Sequence, residues 1–66
     1  MPKTYREVRA ALIRAGWTKL RQRGSHEIWG SRDGTRGTTV AGRDSDTVPA
    51  RTLAEIRRQT GLDELR

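Results

Sequence analysis

The sequence predicts an α+β fold in which a helix, three antiparallel strands and a second helix follow one another in one domain, residues 1–66. Apolar residues recur at helical spacing near both ends of the chain, and each stretch has helix start and stop signals. Between them, two-residue alternation and turn residues indicate strands joined by hairpins. We expect both helices to cover one face of the sheet and to leave the other face open.

The first helix is predicted over residues 5–15. Thr4 is followed three residues later by Glu7, which is the spacing of a capping box. Gly16 is the natural stop after the last turn. One stripe of the helix is apolar and comprises Tyr5, Val8, Leu12 and Ala15. The basic residues Lys3, Arg6, Arg9 and Arg14 fall mostly outside this stripe and are expected to form a solvated face.

Residues 17–29 predict a β-hairpin, with the turn residues Gly24 and Ser25 between the two strands. Alternation places Lys19, Arg21 and Arg23 on one face of the first strand, together with Trp17. We expect Leu20, Trp29 and Val40 to point towards the helices, because Trp29 has the most area to bury. His26 then points to the open face, and Trp17 packs at the sheet edge. Either tryptophan has the alternative role of stacking on a nucleic-acid base.

The third strand and the second helix complete the predicted order. Asp33-Gly34 is a hairpin signal, and residues 38–41 are rich in β-branched side chains. Pro49 suits the first turn of the second helix, which Gly61 ends. Beyond it, Leu62 and Leu65 are expected to form a small apolar surface at the C-terminus.

The charge of the chain is unevenly distributed and favours a polyanionic partner. The net charge is +6, with +5 in residues 1–33 and +1 in residues 34–66. Phosphates neutralised by Lys and Arg release counterions, so a basic half is typical of nucleic-acid binding. The alternative is a merely solubilising surface.

The sequence gives little indication of a metal site, a cofactor site or a membrane span. It contains no cysteine, so a thiolate metal site is excluded. Asp44 and Asp46 lack a third ligand at suitable spacing. We therefore expect no metal and no cofactor. No apolar run approaches the length of a membrane span, and we expect a cytoplasmic protein without membrane contact.

The candidate for chemistry is His26, the only histidine of the chain. Imidazole titrates near neutral pH and can therefore give and take protons under physiological conditions. The cations that precede it in the first strand are suited to holding a phosphate. The alternative is a partly exposed hairpin histidine without a function.

The order of short motifs resembles the HicA family, small mRNA-cleaving toxins of bacterial toxin–antitoxin pairs. The resemblance covers nearly the whole chain and depends on Gly16-Trp17, Gly24-Ser25-His26 followed by an aromatic residue, Thr38-Thr39-Val40, and the last helix from Val48-Pro49 to Gly61-Leu62. HicA relatives share the architecture of double-stranded-RNA-binding domains, which agrees with the predicted element order. Relatives often carry a proline, and sometimes a second histidine, where this chain has Ala41-Gly42-Arg43, so a mechanism with two histidines is in doubt.

The resemblance implies a metal-independent endoribonuclease that acts on mRNA. His26 would be the catalytic acid and base, and RNA would be bound by Lys19, Arg21, Arg23, Gly24 and Ser25. An acidic HicB-like antitoxin would be the protein partner, and the free toxin would be a monomer. Two alternatives explain the fold and charge as well: a non-catalytic RNA-binding module, and a basic protein that docks on an acidic partner.

Overall fold

A three-stranded antiparallel sheet with two helices confirms the predicted α+β class in the computed structural model, which describes residues 2–66. The strands are adjacent in chain order, β1-β2-β3. The elements are α1 (Tyr5–Arg14), β1 (Thr18–Arg23), β2 (His26–Gly30), β3 (Gly37–Ala41), α2 (Ala50–Thr60) and a 3-10 helix (Asp63–Leu65). Within residues 2–66, no helix combines the length and the hydropathy needed to cross a bilayer.

The start of α1 is fixed by the predicted capping box. Thr4 Oγ1 accepts a hydrogen bond from the Glu7 backbone N–H at 3.3 Å, and the Thr4 N–H donates to the Glu7 carboxylate at 2.9 Å. The loop after β3 contributes as well, because the Tyr5 N–H donates to the Asp46 carbonyl at 3.0 Å. N–H groups that a helix leaves without partners are thus satisfied, and the loop is tied to the helix.

The core lies between the two helices and one face of the sheet. Trp29 and Val40 are buried on that face, as predicted. Trp17, which directly precedes the edge strand β1, is also buried in the core. The remaining apolar side chains of the core are Tyr5, Val8, Ala11, Leu12, Val48, Leu53, Ile56 and Leu65.

The C-terminus folds into this core instead of forming the predicted apolar surface. Gly61 ends α2 in the left-handed region at φ 71°, which reverses the chain. The 3-10 helix that follows brings Leu65 against both helices, where it is 1% exposed. Leu62 is half-buried and packs against the core. The expectation of a free Leu62 and Leu65 surface is therefore wrong.

A β-bulge in β1 overturns the predicted direction of Leu20. Lys19 pairs with Trp29, but the next pair is Arg21 with Ile28, so Leu20 is an extra residue. Leu20 is 65% exposed, and its Cδ1 would lie 2.7 Å from a Cβ built on Gly30. Leu20 therefore covers Gly30 on the open face, opposite to its predicted position.

Candidate nucleic-acid interface

His26 lies at the start of β2, directly after the tight turn that joins β1 to β2. Arg23 pairs with His26, so Gly24 and Ser25 form a two-residue hairpin turn. Gly24 has φ 59°, a left-handed conformation that glycine adopts without a steric penalty. The Gln22 side-chain amide donates to the Gly24 carbonyl at 3.0 Å. The turn holds His26 at a sheet corner, where its side chain is exposed.

Two arginines share the open face with His26. Arg23 is directly opposite His26, and Arg21 is opposite Ile28, two residues further along β2. Residues opposite each other in an antiparallel pair point to the same side, with Cβ atoms about 5 Å apart. The predicted outward direction of His26 and its grouping with Arg21 and Arg23 are confirmed. The site is a surface, and His26 lines neither of the two clefts beside Trp17 and Thr39.

Lys19 does not belong to this group, and its predicted face is wrong. It precedes the bulge and pairs with Trp29, whose side chain points towards the helices. Its ammonium donates to the Gln22 side-chain oxygen at 3.2 Å. The extra residue Leu20 shifts the alternation by one position, so Lys19 and Arg21 point to opposite sides of the sheet.

Behind His26, the next residue of β2 anchors the strand to α1. Glu27 is buried, and its carboxylate accepts hydrogen bonds from Arg9 Nε at 3.0 Å and Arg9 Nη2 at 3.2 Å. The Trp29 indole N–H also donates to it at 3.0 Å. Burial by itself raises the pKa of Glu27, but the hydrogen bonds from Arg9 and Trp29 and the Arg9 charge outweigh it and hold this pKa below its ordinary value.

Arg9 also connects this strand to the loop after β3. Its guanidinium donates to the Gly42 carbonyl at 2.6 Å and to the Asp44 carboxylate at 2.7 Å. The Arg9 side chain is only 17% exposed, so its predicted place on a solvated face is wrong. The sequence contained a signal for this network, because alternation puts Glu27 on the same face as Trp29, and a carboxylate there requires a cation.

The described residues contain no cluster of three or more His, Cys, Asp or Glu side chains that could hold a metal ion. Asp44, half of the acidic pair considered in the sequence, instead forms an ion pair with Arg9. The second member, Asp46, lies 3.7 Å from the Arg43 guanidinium. Both carboxylates thus have arginine partners.

The model of the HicA toxin family of bacterial toxin–antitoxin systems matches residues 5–62. The chain belongs to this family. No curated protein and no solved structure matches the chain. The matched range includes both helices and all three strands, and therefore His26 with its neighbouring arginines. Membership in this family of toxin–antitoxin systems implies an antitoxin partner of the HicB type.

The open face of this HicA toxin presents positive charge that the rest of the fold leaves uncompensated. Within residues 2–66, neither Arg21 nor Arg23 forms an ion pair. All six side chains of β1 are exposed. An anionic ligand on this face would therefore meet two guanidinium groups beside the imidazole without displacing an internal partner.

Proposed function

We propose that this HicA toxin is a metal-independent endoribonuclease that cleaves mRNA, with His26 as its acid–base group. The observation that supports the proposal is the exposed His26 imidazole, which shares the open sheet face with two arginines that have no carboxylate partner within residues 2–66. A basic, open sheet face can follow the backbone of an RNA strand.

The chemistry uses a nucleophile that RNA itself carries. His26 takes the proton of the 2′-hydroxyl, the 2′-oxygen attacks the adjacent phosphorus, and the bond from phosphorus to the 5′-oxygen breaks. The products are a 2′,3′-cyclic phosphate and a 5′-hydroxyl end. The leaving oxygen takes a proton from water or from the imidazolium formed in the first step, since the chain has one histidine.

The neighbours of His26 are assigned to phosphate binding. Arg21 and Arg23 offset the negative charge that develops on the phosphorane oxygens. Gly24 and Ser25 form the turn directly before His26, and we assign a backbone N–H of this turn and the Ser25 hydroxyl to positioning the phosphate. Lys19, which the sequence grouped with these cations, lies on the other side of the sheet and is not assigned to this phosphate contact.

The same surface defines the expected partner. An acidic HicB-like antitoxin that covers the His26 face would inhibit the toxin and would associate fast with a chain of net charge +6. We place the free toxin in the cytoplasm as a monomer, where mRNA is its substrate.

The test is His26→Ala in a cleavage assay with purified protein and chelator present. We expect cleavage to fall by about 10²–10⁴-fold, because that is the usual contribution of acid–base catalysis. RNA binding and circular dichroism should change little, since an exposed side chain tolerates substitution within about 0.5 kcal/mol. The wild-type products should carry 2′,3′-cyclic phosphate ends.

His26→Asn is the matched control, because an amide keeps a hydrogen-bonding group but does not titrate near neutral pH. It should be as inactive as His26→Ala. Full cleavage by either folded variant contradicts the mechanism. RNA binding by the wild-type protein without any cleavage would instead favour the non-catalytic RNA-binding module.

A further inference from the structure

The two edges of the sheet differ in how they resist pairing with another strand. β1 contains a bulge and the charged residues Lys19, Arg21 and Arg23, which are devices that keep foreign strands from adding to an edge. β3, Gly37–Ala41, has no charged residue and no proline, and its pairing with β2 is regular along its whole length. The β3 edge is therefore the one that the sequence leaves unprotected.

The backbone groups that face outward from this edge follow from the hairpin register. The Ser31 N–H donates to the Arg36 carbonyl at 3.0 Å, so this is a hydrogen-bonded pair. Such pairs alternate along an antiparallel ladder, so Thr38 and Val40 bond to β2. The polar backbone groups of the other three residues point away from β2, and no backbone partner for them occurs within residues 2–66. These three residues are Gly37, Thr39 and Ala41.

A groove of about 380 Å³ lies beside this edge, between β3 and α2. Its lining combines a buried apolar side chain, hydroxyl and amide groups, and charge: Thr39, Arg51, Thr52, Glu55, Ile56 and Gln59. The Glu55 carboxylate is already bonded to Arg58. Arg51 is exposed and forms no ion pair within the described chain, so the free charge of the groove is positive.

We propose that an extended segment of the acidic antitoxin adds to β3 as a fourth strand, with an acidic side chain against Arg51. The inference uses the antitoxin part of the proposed function and is independent of the cleavage chemistry. Backbone hydrogen bonds to the outward groups supply affinity, and the groove selects the side chains. A second copy of this chain fits less well, because each copy carries a net charge of +6.

This position also connects binding with inhibition. Neighbouring strands lie about 4.8 Å apart, so an added strand lies about 10 Å from β2 and His26. The antitoxin body attached to that strand is then close enough to cover the open face. A partner anchored at β3 can therefore block RNA even though the segment that adds to β3 does not itself contact His26.

Amide hydrogen exchange of the intact chain tests the added strand directly, with the purified product of the adjacent reading frame as the probe. The amides of Thr39 and Ala41 should exchange fast in the free chain and become protected in the complex. Those of Thr38 and Val40 should be protected in both. Binding without new protection at Thr39 and Ala41, or no binding at all, overturns the inference. Protection in the free chain that grows with its concentration assigns the edge to self-association and also overturns it.

Two variants give an independent measure. Arg51→Glu should weaken binding of the same probe by roughly tenfold or more, because attraction becomes repulsion. The control, Arg6→Glu, makes the same charge change on the exposed side of α1 and should weaken it much less. Thr39→Pro removes an outward N–H and should weaken binding while retaining the fold, since proline is tolerated at outward positions of edge strands. Equal losses for Arg51→Glu and Arg6→Glu contradict the assigned groove. RNA cleavage by the free chain is measured separately, so failure here is distinct from failure of the ribonuclease proposal.

Discussion

Adjacent residues of β2 point to opposite sides of the sheet. The side chain of Glu27 points to the buried side, where its carboxylate needs a cationic partner. Replacing Glu27 by glutamine keeps the size but removes the buried one of the two carboxylates that the Arg9 guanidinium contacts. We expect Glu27→Gln to lower the free energy of unfolding by about 2 kcal/mol, which is typical for a lost hydrogen bond to a charged group. Urea unfolding followed by circular dichroism measures this change.

Glu55→Gln provides the matched control for that measurement. Glu55 also pairs with an arginine, Arg58, but both side chains are at least half exposed. An exposed ion pair contributes little, so the loss should stay within about 0.5 kcal/mol. Equal losses in the two variants would mean that the Arg9–Glu27 pair does not fix β2 to α1.

The residues of the candidate site differ in how far the sequence could predict them. The direction of His26 followed from alternation, since Trp29 must be buried and lies three positions along the same strand. The partner of Arg9 could not be predicted from local spacing, because Glu27 is 18 residues away and meets it only through packing of α1 on the sheet. Local periodicity specifies a face, whereas a specific pair across elements depends on the tertiary arrangement.

At the scale of elements, the β1 bulge separates the cations that alternation had grouped. Alternation predicts β1 correctly as a strand but carries no signal for an extra residue, so the faces of Lys19 and Leu20 were predicted wrongly.

The bulge leads to a prediction for the salt dependence of RNA binding. Each arginine that neutralises a phosphate of single-stranded RNA contributes about −0.7 to the log–log slope. Arg21→Ala and Arg23→Ala should each make the slope shallower by about that amount.

Lys19→Ala tests the same geometry from the other side of the sheet. The Lys19 backbone pairs with Trp29, and its ammonium donates to the Gln22 side chain on the side away from the open face. We expect a nearly unchanged slope for this variant in filter binding with single-stranded RNA. A reduction as large as that of Arg21→Ala would place RNA on both sides of β1 and would contradict an interface confined to the open face.

The loop between β2 and β3 depends on one ionised carboxylate. Asp33 accepts from the Thr35 N–H at 3.0 Å, the Thr35 hydroxyl at 2.7 Å and the Ser31 hydroxyl at 2.8 Å. These hydrogen bonds, led by that of the Thr35 backbone, hold its pKa at about 2, below the ordinary 3.8. A lowered pKa stabilises the fold above the ordinary value, and this contribution disappears as the pH falls from about 4 to about 2.

The difference in stability between the wild-type protein and Asp33→Ala, measured over a range of pH, tests this dependence on the Asp33 carboxylate. The wild-type protein should be more stable than the variant above pH 4, and the difference should shrink towards pH 2. Thermal unfolding at a series of pH values gives the difference directly. A difference that stays constant from pH 6 to pH 2 would show that the carboxylate does not gain its hydrogen bonds through folding.

At the scale of the whole molecule, the predicted order of elements was sufficient for the fold class but not for the position of residues 62–66. Gly61 was predicted correctly as the end of α2, and residues 62–66 are polar except for two leucines. Sequence periodicity cannot tell whether such leucines face a partner or fold back. The fold decides, because the 3-10 helix packs against α1 and α2 and buries Leu65 there.

Leu65 therefore has a large effect on a domain with a small core. A chain of 66 residues has a free energy of unfolding of about 3–10 kcal/mol. Leu65→Ala removes a side chain that is 1% exposed, and such a change costs about 2–5 kcal/mol. We expect the free variant to be partly or fully unfolded at 37 °C. Ile13→Ala, at a residue that is 63% exposed, should stay within about 0.5 kcal/mol of the wild type.

The antitoxin distinguishes this core role from a binding role for Leu65. A ligand that binds only the folded state at 100 times its Kd stabilises that state by about 2.7 kcal/mol, which can compensate for much of the lost packing. Thermal unfolding of Leu65→Ala with and without antitoxin should therefore show a large stabilisation and an intact complex. If Leu65 were a contact to the partner, the free variant would be as stable as the wild type and only the complex would be weakened. Because Leu65 is enclosed by the two helices, we expect the first result.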